Sequence, residues 1–332
     1  MTDSLVKVEN LKKYFPVKLG VFEGWHFENG KLKRKRLYVK AIDGVSFEIE
    51  KGDTFALVGE SGCGKTTTGR TIVGLYKQTD GKIYFRNKPI DEVLKKSPKD
   101  FKKNVQMIFQ DPYSSLNPRM KVYNLISEPL RVHKLVSSRA EEREKVEEIM
   151  VNVGLEPEYK SRYPHQFSGG QRQRIAIARA LATEPEFIVA DEPISALDVS
   201  IRAQILNLME DLQEKYGLTY LFIAHDLSVV RHISNKTAVM YLGRIVEMGN
   251  TDEIFTHPLH PYTKTLFDSI PSVEKVKQPL KVTIEGEVPS PINPPPGCPF
   301  HPRCPHAMER CKKERPEPKE VSPGHFVSCF LY

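Results

Sequence analysis

Three groups of residues carry chemistry by type and spacing. Gly59-Glu60-Ser61-Gly62-Cys63-Gly64-Lys65-Thr66 fits G-x-x-x-x-G-K-[ST] at every fixed position. The glycines let backbone N–H groups turn inward around phosphate oxygens, and a helix starting behind the loop adds its free N–H groups and positive dipole end. Lys65 supplies a point charge to the β- and γ-phosphates and the Thr66 hydroxyl a ligand for Mg²⁺, with Thr67 a further nucleotide contact. The second group is Asp191-Glu192, which closes the apolar run Phe187–Ala190. Acids at the C-terminal end of a parallel strand stand in the crevice where ligands bind. Asp191 suits a magnesium holder, and Glu192, pointing the other way, suits the group that polarises an attacking water. The third group is Cys298-x₅-Cys304-x₆-Cys311-x₁₇-Cys329. Four thiolates are a full set for tetrahedral zinc or for a [4Fe–4S] cluster. The spacing matches neither the close cysteine pair usual for structural zinc nor the common ferredoxin run, and the long proline-stiffened intervals suit a bulky cluster better. His301, His306 and His325 read as exposed loop histidines rather than zinc ligands.

These groups need elements to position them. Residues 45–58 read as two strands with a turn at Lys51-Gly52-Asp53, residues 5–8 as another, and Thr66–Leu75 as the helix behind the loop. Val17 to Lys40 is an insertion ending in KLKRKRLYVK, read as a solvated hairpin. Residues 80–93 look like a hairpin strand. From about 120 to 165 the pattern is helical, with a capping Ser and Val146, Ile149, Met150 and Val153 at helical spacing. FIVA and TYLFIA read as buried parallel strands separated by a helix over 201–216, an α/β arrangement. From Pro271 to Pro323 the chain is dense in proline. That stretch reads as disordered or as a small domain held by something other than a core, and the cysteines favour the second.

Composition bounds the partners. The 332 residues are 39% hydrophobic and 27% charged, the profile of a soluble globular chain. No apolar run approaches the ~18 residues of a membrane span, and MTDSLVKVEN has no apolar signal region, so a protein neither integral to a membrane nor exported is expected. The balance of 49 − 42 = +7 suits an acidic partner (nucleotide, nucleic acid or anionic membrane) without choosing among them. Four of the five cysteines fall in the last 35 residues, which argues for a metal or cluster rather than disulfides, while Cys63 reads as a small loop residue.

Phe167-Ser168-Gly169-Gly170-Gln171 resembles the signature of the ABC ATPases, with Phe at its first position. Gln110 in MIFQDP resembles the Q-loop, Ser195-Ala196-Leu197-Asp198 the D-loop, and His225 in IAHDL the switch histidine. The resemblance implies a P-loop NTPase (RecA-like) core with an antiparallel β subdomain and an α-helical subdomain near 111–175, together forming a nucleotide-binding domain over 1–255. It implies ATP and Mg²⁺ as cofactors, held by residues 59–67. It also gives Glu192, His225, Gln110 and Lys65 catalytic roles, and Thr66, Gln110 and Asp191 to magnesium. Ser168, Gly169, Gly170, Gln171 and Asp198 would close on the nucleotide of an opposite subunit. Tyr14 would stack on adenine, with Phe15 or Tyr38 as substitutes.

QMIFQDPYSSLNPRM, HPLHPYTKTLFDSIPS and NPPPGCPFHPRCPHAMERC resemble, more narrowly, the ATP-binding subunits of oligopeptide/dipeptide importers, in their second, F-type form. That likeness implies an irregular Cys-rich C-terminal domain over 256–332 and favours a [4Fe–4S] cluster at Cys298, Cys304, Cys311 and Cys329 over zinc. It implies a second ATP-binding subunit (a heterodimer in the cell, a homodimer or monomer in isolation), two membrane permeases and an extracytoplasmic binding protein. The chain would sit at the cytoplasmic face of the cell membrane and bind no nucleic acid. Residues 111–165, between the Q-loop and the signature, would meet the permeases. ATP-driven closure and hydrolysis would then drive uptake of di- and oligopeptides. Nickel or oligosaccharide import is the near alternative. The distant one is a soluble ABC ATPase on nucleic acid or ribosome, which usually carries two motif sets or a long coiled coil, both absent here.

Overall fold

The computed structural model describes residues 4–17, 25–28, 31–34, 36–268 and 286–332. Runs that are apolar at nearly every position become the central strands, because a strand covered on both faces has no polar side. Thr54–Val58, Phe187–Asp191 and Thr219–Ala224 are buried throughout and run parallel, Tyr220 lying opposite both Thr54 and Ile188. They centre a sheet of eight strands among the described residues. Its order from one edge is Lys319–Ser322, His325–Val327, Arg244–Asn250, Lys236–Tyr241, Thr54–Val58, Thr219–Ala224, Phe187–Asp191, Val105–Ile108. A second, antiparallel sheet joins Tyr38–Glu50, Ser4–Pro16, Asp80–Phe85 and Lys88–Pro89. Phe47 stacks on Phe55, with ring centroids 4.8 Å apart, and ties the two sheets together.

Helices Val122–Val132, Arg139–Asn152 and Gly169–Leu181 form the helical part. Ser138 caps the second of these by accepting the Glu141 N–H. Val146, Met150 and Val153 are buried along one face, with Ile149 packed beside them. Among the described residues no helix is long and apolar enough to cross a membrane.

Several expectations shift in detail. The insertion does hold a hairpin, Trp25–Glu28 against Lys31–Arg34. The strand expected over 80–93 stops at Phe85, and a helix begins at Ile90. Arg86 and Asn87 take positive φ there, turning the chain back into the short return strand. The helix behind the phosphate loop spans Lys65–Ile72.

The tail departs most. Residues 286–332 are not held apart from a core: His325–Val327 pairs with Arg244–Asn250, and Cys298, Phe300 and Cys311 belong to the main apolar cluster. Phe300 packs against Tyr241, Tyr262 and His260, with ring centroids 5.3–5.7 Å apart. The apolar residues that do this lie singly among prolines and show no period. Position 255/256 falls inside the helix Thr251–Thr256.

Candidate nucleotide site

The phosphate loop joins the central strand Thr54–Val58 to the helix Lys65–Ile72. Gly59 and Gly64 have φ +147° and +109°, and a Cβ on either would come 2.1 Å from a backbone carbonyl oxygen, of Met240 and Ala41 respectively. Only glycine fits, which is why the motif fixes these two positions. The Lys65 ammonium donates to the Gly59 and Glu60 carbonyls at 2.6 and 3.0 Å, so it arches back over its own loop. Cys63 is buried beside it, and burial pushes its thiol pKa up. A cavity of about 320 Å³ opens at the loop. Ser61, Gly62, Gly64, Lys65, Thr66 and Thr67 line it, together with Gln110, Glu192, Phe15 and Pro291.

Asp191 ends the strand Phe187–Asp191 and Glu192 follows it, and the two carboxylates meet different partners. The Thr66 hydroxyl donates to Asp191 Oδ1 at 2.8 Å, while Oδ2 is buried with no hydrogen-bond partner. Burial raises the Asp191 pKa, with Thr66, Arg70 and Lys65 acting the other way. An orphaned carboxylate oxygen beside a hydroxyl fits a hard cation. Glu192 has φ +47°, a strained value for this residue type, and its N–H is held by the Ile223 carbonyl at 2.9 Å. Its Oε2 accepts from Gln110 Nε2 at 2.8 Å and lies 3.2 Å from His225 Nδ1. Three residues expected at the site therefore meet at one carboxylate, although they come from three separate loops.

The signature stands apart. Ser168 caps the helix Gly169–Leu181 in a reciprocal box with Gln171, at 3.3 and 3.1 Å. A Cβ on Gly170 would come 2.5 Å from the Ile201 side chain, so this glycine permits close helix packing. Ser168, Gly169, Gly170, Gln171 and Asp198 are not among the residues lining the cavity at the phosphate loop. Asp198 starts the helix Val199–Tyr216 without capping it through its side chain.

Tyr14 is not on the cavity wall. Its hydroxyl donates to Asp43, a buried carboxylate also bound by Arg244 and Arg315, and burial together with Asp43 pushes the phenol pKa up to about 12. Phe15, one residue on, faces the cavity. Glu60 is not on the cavity wall either: its carboxylate pairs with Arg303 at 2.9 Å. Tyr262, Arg303, Val39, Ala41 and Pro291 are the site-forming residues that no motif identifies. The HPYTK stretch containing Tyr262 stood out in the sequence only as a marker of kinship.

Cys298, Cys304, Cys311 and Cys329 line one cavity, and all are free thiols. Burial, reinforced by the neighbouring thiols, raises Cys298 to about 11 and moves Cys304 and Cys329 upward too. Yet among the described residues no three His, Cys, Asp or Glu side chains stand as a set able to hold a metal ion, so the expected site is not preformed. His325 is no exposed loop residue. It is buried, with Nε2 2.9 Å from Glu247 and Nδ1 3.1 Å from Glu253.

Comparison with known proteins places these features. The family model described as ABC transporter matches residues 42–195, and that described as oligopeptide/dipeptide transporter, C-terminal region, matches residues 246–311. The oligopeptide transport ATP-binding protein AppF of Bacillus subtilis is 52% identical over 99% of this chain and 98% of its own length. The dipeptide transport ATP-binding protein DppF of Haemophilus influenzae is 48% identical over 98% of this chain and 96% of its own. Among solved structures, the ATP-binding cassette MJ0796, a dimer with ADP and Pi, superposes with a TM-score of 0.61 at 29% identity, over 74% of this chain and 98% of that one. The cbiO1 component from Clostridium perfringens gives 0.62 at 29%, over 77% and 92%.

Proposed function

The chain belongs to the ATP-binding subunits of oligopeptide/dipeptide ABC transporters, and from that premise we propose that it couples ATP-driven subunit closure and hydrolysis to uptake of di- and oligopeptides. It is an ABC-type ATPase. The observation that carries the catalytic reading is the convergence of Gln110 and His225 on Glu192 at the mouth of the cavity that contains Lys65 and Thr66. Glu192 orients the attacking water and takes its proton, and Gln110 and His225 keep the carboxylate in place. Lys65 exchanges its two loop carbonyls for phosphate oxygens. Thr66, Gln110 and Asp191 would hold Mg²⁺, which when bound would supply positive charge to offset the charge that develops on the phosphates. Phe15, rather than Tyr14, offers the nucleobase a ring face. Ser168, Gly169, Gly170, Gln171 and Asp198, all outside this cavity and with Ser168, Gly169 and Asp198 exposed, serve the nucleotide of a second ATP-binding subunit.

Glu192→Gln tests the assignment: it keeps size and hydrogen bonding and removes the charge. ATP binding should persist, while turnover in the assembled transporter falls by ~10²–10⁴. Unchanged turnover would remove Glu192 from the chemistry.

A groove of about 450 Å³ runs between the core and the helical part, past Leu75, Phe109, Leu116, Pro129 and Val132. Leu75 and Val132 are more than half exposed. This groove, next to Gln110, is where a permease segment docks at the cytoplasmic membrane face. Cross-links placed at Val132 should reach a permease; cross-links reaching only the other ATPase would sink this placement.

A second reading concerns the thiols. Four cysteines around one cavity, none in a disulfide, are by type and number the donor set of a [4Fe–4S] cluster, with zinc the alternative, and they would have to draw together to bind it. Cys298, Cys304, Cys311 and Cys329 would supply the thiolates and staple the tail. Anaerobically purified protein should be brown with about four irons per chain; colourless protein with one zinc selects the other metal.

A further inference from the structure

Glu60 occupies a position of the phosphate loop where the motif admits any residue, and a carboxylate there repels an incoming triphosphate. The tail removes that charge. Arg303 donates to both Glu60 oxygens, Nη1 to Oε2 at 2.9 Å and Nη2 to Oε1 at 3.1 Å, the parallel fork that makes such pairs directional. The Arg303 side chain is 6% exposed and Glu60 22%, so water screens the pair weakly. The guanidinium also reaches the Tyr241 hydroxyl at 3.4 Å. A second tail-side group grips the same residue, since the Glu60 N–H donates to the buried Tyr262 hydroxyl at 2.9 Å. The Glu60 carbonyl, in turn, accepts from Lys65. Glu60 is thus held at its carboxylate and its N–H by residues beyond 255, while its carbonyl holds the phosphate lysine.

Arg303 ends the 3₁₀ turn His301–Arg303, between Cys298 and Cys304. That turn is closed by the His301 N–H on the Cys298 carbonyl, 3.1 Å, and by the Cys298 N–H on the Cys311 carbonyl, 2.8 Å. The residue that neutralises the phosphate loop therefore stands between two of the cysteines, Cys298 and Cys304, that line the thiol cavity.

We propose that Arg303 is a positioning residue for ATP, acting through Glu60, so that the C-terminal region is a working part of the nucleotide site. The proposal rests on the phosphate-loop reading above, and the experiment separates the two. Affinity of the full-length chain for a fluorescent ATP analogue with Mg²⁺ is measured by titration, without turnover. Lys65→Ala should abolish binding; if it does not, the phosphate-loop reading itself fails. Arg303→Gln should weaken binding about tenfold, the scale of one lost charge-assisted, partly buried bond pair. Arg303→Lys, which keeps the charge but not the fork, should fall between. Adding Glu60→Gln to Arg303→Gln should restore affinity to within about threefold, because the unpaired carboxylate is gone. Wild-type affinity in Arg303→Gln, or a double variant no tighter than Arg303→Gln alone, would overturn the proposal, the latter by assigning the loss to packing.

Discussion

Gly64 and Gly297 stand in bends of similar severity. Their φ values are +109° and +67°, and an added Cβ would come 2.1 Å from the Ala41 carbonyl oxygen in one and 2.3 Å from that of Cys311 in the other. The bends differ in where their neighbours turn. Beside Gly64, residues 61, 62 and 65–67 line an open cavity and wait for a ligand. Beside Gly297, the Cys298 N–H is taken by the Cys311 carbonyl, so the turn closes on itself. A binding loop and a structural loop can share one backbone device. The direction in which the neighbouring groups turn separates them.

The largest expected effect breaks the binding side of this comparison. Gly64→Ala should cost about 4 kcal/mol, from left-handed strain plus the carbonyl collision, and should abolish nucleotide binding. Urea unfolding and analogue titration read the two together. Unimpaired binding would show that the bend can relax.

A smaller effect sharpens the structural side. Glu247 is fully buried and accepts from the Leu259 and His260 N–H groups at 2.7 and 2.9 Å and from His325. His325→Ala leaves that carboxylate without its buried imidazole partner, and about 3 kcal/mol of stability should be lost in urea unfolding. A loss under about 1 kcal/mol would mean that the tail is anchored elsewhere.

The smallest is a pH slope. His260 is buried, and its Nδ1 accepts the Tyr262 N–H at 3.0 Å, so the ring is neutral in the fold. Burial, helped slightly by Lys264, lowers its pKa to about 3. The unfolded chain binds this proton near pH 6.5 and the folded chain only near 3, so stability falls as pH drops through that window and levels off below it. The wild type should lose up to about 1.4 kcal/mol per pH unit more than His260→Gln between pH 6 and 4. Equal slopes in the two proteins would contradict a neutral buried ring.

The same contrast explains what could be read in advance. The capped signature is fixed by contacts within a few residues, and the phosphate loop and acid pair carry a fixed local spacing even though their partners, such as Met240, Gln110 and His225, are distant, so composition at a given spacing betrays all three. Tyr14 misleads because neighbours on a strand face opposite ways, and the register that sends Tyr14 to Asp43 and Phe15 to the cavity depends on the partner strands. Arg303 lies 243 residues from Glu60, and nothing local to either marks the pair. His325 looked like a loop residue because its partners, Glu247 and Glu253, sit more than 70 residues upstream.

The two short strands at the end of the chain also bear on solubility. Arg244–Asn250 pairs on one side with Lys236–Tyr241, and on the other it meets His325–Val327 through Glu247–Val327 and Met248–Phe326. The outermost strand, Lys319–Ser322, is four residues long and carries exposed Lys319 and Glu320. A brief, charged rim is a poor template for another copy's strand, whereas a seven-residue one is a better one. By covering that rim, the tail guards crowded copies of this protein against edge-to-edge aggregation.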